Sequence, residues 1–348
     1  MHFYKESVFI SAIRSFCTSF AMILGILVAA TVSFMGLIFL SGSDMYPPKS
    51  ELTIAPDANG NRNLLPGTTP VILRLDIHGV IGQGDLISAK IENSLLDSRE
   101  GMFAHSRVKA ILLHIDTPGG TVTDSDTIYR LLMAYKQKYQ VPIYAYVDGL
   151  CASGGMYISC SADKIYASES SVIGSVGVIM GPAFNVSKLM ETYGVQSLTL
   201  TEGKDKDALN PFRVWQPGED TSLRNILASL YDRFVTIVTT ARPKLNKTKL
   251  IGDYGAQVFV GSQAEKFGYI DVADSNYNTA LTELVSAANI AENQPYQVIQ
   301  IAPPHPFLSD LASGQFSLLN GKITHEFKIN SPINSENCGK FLYLYQPN

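Results

Sequence analysis

The strongest constraint on the fold is an apolar run that ends in a glycine-rich turn. Residues 141–147 are rich in Val, Ile and Tyr, which favours a buried β-strand. The next segment, residues 149–157, reads GLCASGGMY and holds one serine, Ser153, among small residues. Small residues keep a turn narrow and let other backbone atoms approach closely. A serine on a strand-to-helix turn is typical of a catalytic nucleophile, although a serine there can also simply cap the helix.

A second unit of the same kind lies about thirty residues earlier in the chain. Residues 109–116 are apolar enough for a central strand, residues 117–120 (TPGG) form a turn, and residues 125–139 carry apolar side chains at helical spacing. In the turn, the amides of Gly119 and Gly120 are expected to point at a bound oxygen. Two such units in succession favour an oxyanion-binding site over two ordinary connections.

The order of predicted elements points to one fold class. Strands are predicted at residues 71–77, 109–116, 142–147, 164–167, 172–179 and 197–201, and helices at 86–96, 125–139, 154–161, 186–193, 220–242 and 263–267. Because strands and helices alternate, an α/β fold with a parallel sheet covered on both faces is expected. The predicted organisation is a tail (1–14), a membrane anchor (15–43), a linker (44–69), a catalytic domain (70–290) and a C-terminal extension (291–348).

The anchor is predicted from a stretch without any charge. Residues 15–43 hold no charged side chain, and residues 20–40 are nearly all apolar. A helix of that apolar length rises about 31 Å, which matches a bilayer core of about 30 Å. Signal peptides have a shorter apolar region of about 7–15 residues, so an uncleaved single-pass anchor is expected. Lys5 and Arg14 precede the anchor and Asp44 follows it, which favours a cytoplasmic tail and an extracytoplasmic domain.

Composition excludes several classes of partner. The 348 residues include 27 Lys and Arg against 31 Asp and Glu, giving a net charge of −4 that is spread without long runs. Such a chain is not expected to bind nucleic acid. The four cysteines lack metal-ligand spacing, and neither a phosphate loop nor a dinucleotide fingerprint is present. No metal or cofactor is therefore expected.

Five motifs, taken together, resemble one known family. They are DTPGG at 116–120, ASGGMY at 152–157, IGSVGV at 173–178, GKDKD at 203–207 and VGSQA at 260–264. In this order they are similar to the signal peptide peptidase A family, over about residues 71–274. The resemblance implies a Clp protease/crotonase-like fold and a membrane-bound serine peptidase.

The resemblance also implies a role for each site residue. Ser153 corresponds to the nucleophile and Lys206 to the general base of a serine–lysine dyad. Ser175 corresponds to the serine that orients the lysine amine. The oxyanion donors would be the amide of Gly154 and those of the Gly119–Gly120 turn. Lys204 is the nearest rival for the base, but the family pattern favours Lys206.

A lysine base imposes a physical requirement on its surroundings. A serine hydroxyl needs a neutral base, and none of the six histidines lies in a motif-like setting. A free lysine is charged at pH 7, and its neutral form costs roughly 4.6 kcal/mol there. Burial can remove most of this cost by lowering a lysine pKa by about 3–5 units. Lys206 would therefore have to be shielded from water and from the flanking Asp205 and Asp207.

Family members form rings and degrade cleaved signal peptides, so the resemblance implies a homo-oligomeric ring at the inner membrane that acts on such peptides. Residues 220–242 carry a wide apolar stripe, which can pack on the chain's own sheet or against a neighbouring subunit. Two alternatives remain open. A crotonase-like acyl-thioester enzyme would share the oxyanion site, and a non-enzymatic membrane scaffold would share the anchor.

Overall fold

A computed structural model describes residues 8–41, 51–302 and 340–345. These residues fall into two compact units. Within the first, helix α1 (Val8–Ser41) is 34 residues long, and its segment Phe9–Gly36 has a mean hydropathy of 2.1 with no side chain covered by protein. At 1.5 Å per residue this helix is about 51 Å long, so its length and composition suffice for a membrane crossing. The helix begins before the predicted anchor at residue 15.

The second unit is built on an eight-stranded sheet and a two-stranded one. Its strands are β1 Glu51–Ala55, β2 Val71–His78, β3 Val108–Thr117, β4 Gly119–Thr121, β5 Ile143–Ala152, β6 Lys164–Ala167, β7 Val172–Gly174, β8 Val258–Val260, β9 Gln297–Ala302 and β10 Leu342–Leu344. The large sheet has the order β1-β9-β2-β3-β5-β7-β8, with β6 also paired to β5, and β4 pairs with β10. The β9-β2-β3-β5-β7 pairs and the β5-β6 pair are parallel.

Helices cover both faces of this sheet. They are α2 Ser88–Asp97, α3 Val122–Tyr139, α4 Gly154–Ser159, α5 Ser187–Thr192, α6 Thr221–Ala241, α7 Lys247–Lys249, α8 Gly261–Phe267 and α9 Tyr277–Ala287. One apolar cluster joins the sheet to α3, α4 and α6 through fully buried side chains such as Ile128, Met156 and Phe234. A second cluster joins the other face to α9 through Leu281 and Leu284. The predicted α/β fold with a parallel sheet is confirmed.

The predicted strand at residues 197–201 is wrong, because no regular structure forms there. Leu198 and Leu200 alternate with polar residues as in a strand, but they are 84% and 85% exposed and no described strand lies beside them. The strand predicted at 172–179 is shorter than expected. It ends at Gly174, where φ is 132°, because the next residue, Ser175, also turns to a positive φ of 55°.

The sheet also extends beyond the expected catalytic domain of residues 70–290. Strand β1 comes from the expected linker and pairs antiparallel with β9, which comes from the expected C-terminal extension. Strand β10 lies in that extension as well. The remainder of the extension, residues 303–339 and 346–348, lies outside the described residues, as do residues 1–7 of the tail, 42–43 of the anchor and 44–50 of the linker.

Candidate active site

Ser153 occupies a strained elbow between β5 and α4. Its backbone has φ 55° and ψ −113°, a conformation that costs a non-glycine residue about 1–3 kcal/mol. Two hydrogen bonds hold the elbow: the Ser153 N–H donates to the Gly174 carbonyl at 2.8 Å, and the Tyr157 N–H donates to the Ser153 carbonyl at 3.0 Å. The side chain of Ser153 caps no amide of α4, so the interpretation of this serine as a simple helix cap is wrong.

The sheet register places Ser175 beside Ser153. Strands β5 and β7 run parallel with Ala152 opposite Gly174, and each serine follows its member of this pair. Neighbouring strands lie about 4.8 Å apart, so the two serines leave the sheet side by side. Both have a φ of 55°, and the Ser175 N–H donates to the Gln257 carbonyl at 2.8 Å. The structure thus brings together two of the three residues expected to carry catalysis.

A glycine turn faces the first amide of α4. Gly119 has φ 94°, and a Cβ atom there would lie 2.7 Å from the Gly154 nitrogen and 3.0 Å from the Ala152 carbonyl oxygen. Only glycine fits this close approach. No acceptor among the described residues takes up the Gly154 N–H, so this amide is available to an oxygen held beside Ser153.

The amides of the glycine turn are engaged, which differs from the expectation that they are free. The Gly119 N–H donates to the Thr117 Oγ1 at 3.0 Å. Gly120 lies opposite Tyr343 in the antiparallel pairing of β4 with β10. Strand β10 was not predicted, although the apolar run FLYLY at residues 341–345 was a signal for a short buried strand.

Lys206 is exposed, and among the described residues no hydrogen bond joins its side chain to Ser153. It lies in a turn in which its N–H donates to the Gly203 carbonyl at 3.3 Å. Of the two carboxylates that flank it, Asp207 is turned toward Arg213, whose Nε donates to Oδ2 at 2.6 Å. This hydrogen bond holds the pKa of the Asp207 carboxyl below its ordinary value. Lys204, the rival base, is exposed in the same turn.

Two cysteines near Ser153 are not competing nucleophiles. Cys151 and Cys160 are both buried. Burial raises the pKa of each thiol to about 12, so both remain protonated at neutral pH. A thiol must ionise to attack, and Ser153 therefore has no thiolate rival at this position.

A polar cluster on the α9 face of the sheet has the residue types of a metal site. Ligand atoms of Asp76, His78 and His114 lie within 4.8 Å of one another. The Arg74 guanidinium lies in the same cluster, where Nε donates to Asp76 Oδ1 at 2.6 Å and Nη2 lies 2.8 Å from His114 Nδ1. Burial raises the pKa of the Asp76 carboxyl, but hydrogen bonds from His114 and Arg74 outweigh it and lower the pKa overall. A cation of the protein itself therefore already neutralises this carboxylate.

Known proteins match this chain over the region that holds the site. Residues 135–291 match Peptidase family S49, and residues 76–174 match the Clp protease family. The chain is 34% identical to "Putative signal peptide peptidase SppA" of Enterococcus faecium over 206 residues, which are 58% of this chain and 59% of that protein. It is 30% identical to "Putative protease slr0021" of Synechocystis sp. over 254 residues, 72% of this chain and 86% of that protein.

Among solved structures, a ClpP1 mutant from Listeria monocytogenes aligns with a TM-score of 0.40 at 15% identity, over 60% of this chain and 94% of that one. The sequence matches confirm the expected family and the enzyme class of a serine peptidase, a hydrolase. With a match of 30% identity that spans 86% of a relative, the chain belongs to peptidase family S49.

Proposed function

We propose that this protein is a membrane-anchored serine endopeptidase that cleaves short apolar peptides, including cleaved signal peptides, with a Ser153–Lys206 dyad. The observation that carries the proposal is the strained backbone of Ser153, with a φ of 55° in an otherwise well-formed strand–helix unit. Strain of this kind persists where the surrounding structure imposes it, and it is typical of active sites. Beside it lie the unengaged Gly154 amide and the hydroxyl-bearing Ser175.

The proposed reaction is acyl transfer in two steps. The Ser153 oxygen bonds to the peptide carbonyl carbon while its proton passes to the neutral amine of Lys206. The Gly154 N–H stabilises the negative oxygen that results. When the C–N bond breaks, Lys206 returns the proton to the leaving amine. Lys206 then takes a proton from a water molecule, whose oxygen attacks the ester carbon. The ester C–O bond breaks, the proton passes from Lys206 to the Ser153 oxygen, and the acid is released.

In this scheme Lys206 must be neutral, and the surface around its turn indicates how that is achieved. Large apolar side chains between half and nine-tenths exposed crowd residues 184–214: Phe184, Leu189, Tyr193, Val195, Leu198, Leu200, Phe212 and Val214. Monomers rarely expose an apolar patch of this kind. We infer that a second copy of the chain covers residues 184–214, removes Lys206 from water and completes the dyad.

The first half of α6 supports the same assembly. Only Phe234, Val235 and Val238, in the second half of this helix, are buried, whereas Ile226 in the first half is 40% exposed. The apolar stripe of α6 therefore continues beyond the area that its own sheet covers. A closed ring of identical subunits would cover this half of the helix in every copy.

Location follows from the apolar helix at the N-terminus. We propose that α1 anchors the protein in the inner membrane as a single pass, with the catalytic unit on the extracytoplasmic side, because Lys5 precedes α1 and Arg14 lies within its first two turns. Apolar peptides released into the bilayer are then close to the enzyme by virtue of the anchor. No nucleic acid partner is proposed.

Labelling with a serine-reactive fluorophosphonate tests the nucleophile directly. The full chain in detergent should be labelled, and Ser153→Ala should not. The matched control is Ser159→Ala, since Ser159 is a buried serine at the end of α4, the helix that Ser153 precedes, and its Oγ donates to the Met156 carbonyl at 2.8 Å. This variant should label as the wild type does. Labelling of Ser153→Ala at the wild-type level would reject Ser153 as the nucleophile.

A further inference from the structure

Strands β2 and β3 bring two histidines and a carboxylate together on the α9 face of the sheet. Asp76 and His78 are two residues apart on β2, so their side chains lie on the same face of the strand. His114 lies opposite Asp76 in the parallel pairing of β2 with β3. His78 and His114 are 36 residues apart in the chain, so the spacing of local motifs does not reveal the group. We call these three residues the His–Asp cluster.

The side-chain atoms of the His–Asp cluster are spaced as they are around a tetrahedral metal ion. With metal–ligand bonds of about 2.0–2.1 Å, neighbouring ligand atoms of such a site lie about 3.3 Å apart. In the structure His78 Nε2 lies 3.0 Å from His114 Nδ1, and His114 Nδ1 lies 3.6 Å from Asp76 Oδ1. One ligand atom of each residue lies within 4.8 Å of the other two. Small side-chain movements therefore suffice to enclose an ion.

Two further side chains are placed to hold the ligands in their metal-binding form. Asp148 Oδ2, on β5, lies 3.5 Å from His114 Nε2. This carboxylate favours a proton on Nε2, and the lone pair of His114 Nδ1 is then directed at the cluster. Gln300 Nε2, on β9, donates to Asp76 Oδ2 at 2.9 Å, which leaves Oδ1 for the ion. Partners of this kind orient the ligands in known metal sites.

Arg74 is the cation that the His–Asp cluster holds in this structure. Its Nε donates to Asp76 Oδ1 at 2.6 Å, and its Nη2 lies 2.8 Å from His114 Nδ1. These are the two atoms that would also ligate a metal ion. Because a guanidinium and a divalent ion repel each other, they cannot occupy this position together. The Tyr277 ring, whose centroid lies 5.4 Å from Arg74 Cζ, offers the guanidinium an aromatic partner outside the position of the ion.

The donor types select the class of ion. Two imidazoles and a carboxylate suit Zn²⁺, whereas Ca²⁺ and Mg²⁺ prefer oxygen ligands. We propose that Asp76, His78 and His114 form a binding site for a divalent transition-metal ion, with Zn²⁺ as the best match, and that the ion displaces Arg74. This site goes beyond the proposed peptidase function, because it includes none of the residues assigned to catalysis.

Backbone hydrogen bonds connect the site to the glycine turn. The carbonyl of Gly79, the residue after His78, accepts a hydrogen bond from the Thr117 hydroxyl. Two residues further on, the Ile81 N–H donates to the Gly119 carbonyl at 2.8 Å. A metal ion that fixes His78 therefore also stabilises the segment on which the glycine turn is bonded.

Zn²⁺ binding to the full chain in detergent tests the site, with a chromophoric chelator as the competitor. His78→Gln should weaken Zn²⁺ binding at least about tenfold, because it removes one of three ligands. Asp148→Asn should weaken it by about 10–100-fold through the orientation of His114. The Asp148 side chain is 57% exposed, so this variant is expected to fold. His105→Gln, at an exposed histidine outside the cluster, should change nothing.

Displacement of Arg74 predicts a change in the opposite direction. Arg74→Leu removes the competing cation and should tighten Zn²⁺ binding at least about tenfold, because a positive charge that close to the ion opposes its binding. Arg62→Leu is the matched control, since it makes the same change in net charge at an exposed position. Its affinity for Zn²⁺ should be that of the wild type.

Thermal unfolding provides a second readout. Zn²⁺ should raise the unfolding temperature of the wild type but not that of His78→Gln, because an ion that binds only the folded state stabilises it. Equal Zn²⁺ affinity in the wild type, His78→Gln and Asp148→Asn would overturn the site, as would a failure of Arg74→Leu to bind Zn²⁺. An Arg74→Leu chain that binds no tighter than Arg62→Leu would overturn the displacement. Neither readout involves Ser153, so rejection of the nucleophile by fluorophosphonate labelling would leave this site standing.

Discussion

At the scale of single residues, the candidate site depends on how closely two backbone segments approach. Gly119 is the tightest position, because it lies against the Gly154 amide on one side and the β10 backbone on the other. A side chain at this position would separate the turn from the serine elbow. The proposed oxyanion site therefore requires a residue without a Cβ atom at position 119.

We expect Gly119→Ala to abolish fluorophosphonate labelling and to lower the unfolding temperature. The matched control is Gly60→Ala, because Gly60 has a similar φ of 81° but no atom within 4 Å of the added Cβ. In the control, the free energy of unfolding should fall only by the cost of placing alanine in a left-handed backbone conformation, about 1 kcal/mol. Thermal unfolding and labelling of both variants measure the difference. If Gly119→Ala behaved like Gly60→Ala in both assays, close approach would not be what the site requires.

At the scale of elements, three helices meet in one polar network behind Ser153. Asp126 of α3 accepts hydrogen bonds from the Tyr157 hydroxyl of α4 and from Arg233 Nη2 of α6, both at 2.6 Å. Burial raises the pKa of the Asp126 carboxyl, but hydrogen bonds from Arg130, Tyr157 and Arg233 outweigh it and lower the pKa below its ordinary value of 3.8. The ionised carboxylate is thus favoured by folding.

The sign of this shift predicts a pH dependence of stability. A carboxyl with a lowered pKa in the folded state stabilises the protein above its unfolded pKa, and the contribution is lost as pH falls through the folded pKa. Asp126→Asn should therefore lower the free energy of unfolding at pH 7, and the difference from wild type should shrink below about pH 4. Urea unfolding at pH 7 and pH 3 measures this difference. A difference that stayed constant between the two pH values would show that the charge of Asp126 is not what joins the helices.

Elements are also the scale at which the predictive power of the sequence can be judged. Strands β2, β3 and β5 are recognisable because burial on both faces demands continuous apolar runs. The same reasoning failed at residues 197–201, where the apolar alternation belongs to an exposed surface rather than to a strand. Strand β10 was missed because a three-residue strand gains its stability from two distant edges. Local pattern carries no information about such partners.

The candidate site likewise contains residues whose positions the local sequence reveals and contacts that it does not reveal. The positions of Ser153 and Gly154 could be predicted, because they follow a strand whose turn residues are visible in the sequence. Ser175 was indicated by the family resemblance alone, since the sequence pattern placed it inside a longer strand than the one that forms. The hydrogen bond from the Gly119 amide to the Thr117 hydroxyl could not be predicted, because it depends on the rotamer of the Thr117 side chain. The place of Lys206 relative to Ser153 depends on more than one copy of the chain under our proposal, which a single sequence does not encode by spacing.

At the scale of the whole molecule, the proposed ring requires the apolar surface of residues 184–214. Leu198→Glu places a charge on that surface and should therefore break the assembly into smaller species. Leu64→Glu is the matched control, since Leu64 is 80% exposed outside this region against 84% for Leu198. Sedimentation of the full chain in detergent should show the wild type and Leu64→Glu as multi-subunit species. Wild-type protein that sediments as a fully active monomer would contradict the ring.

The central claim is that Ser153 and Lys206 act as one dyad that is completed between copies, and co-expression of two inactive variants tests it most directly. Ser153→Ala and Lys206→Ala chains should each fail to hydrolyse a quenched apolar peptide, whereas Lys204→Ala should retain most activity. In a randomly mixed ring of the two inactive chains, about a quarter of the interfaces pair an intact serine with an intact lysine. We therefore predict that the mixture recovers about a quarter of the wild-type rate. A mixed ring as inactive as either variant alone would contradict a dyad shared between copies, and an active Lys206→Ala chain would contradict the dyad itself.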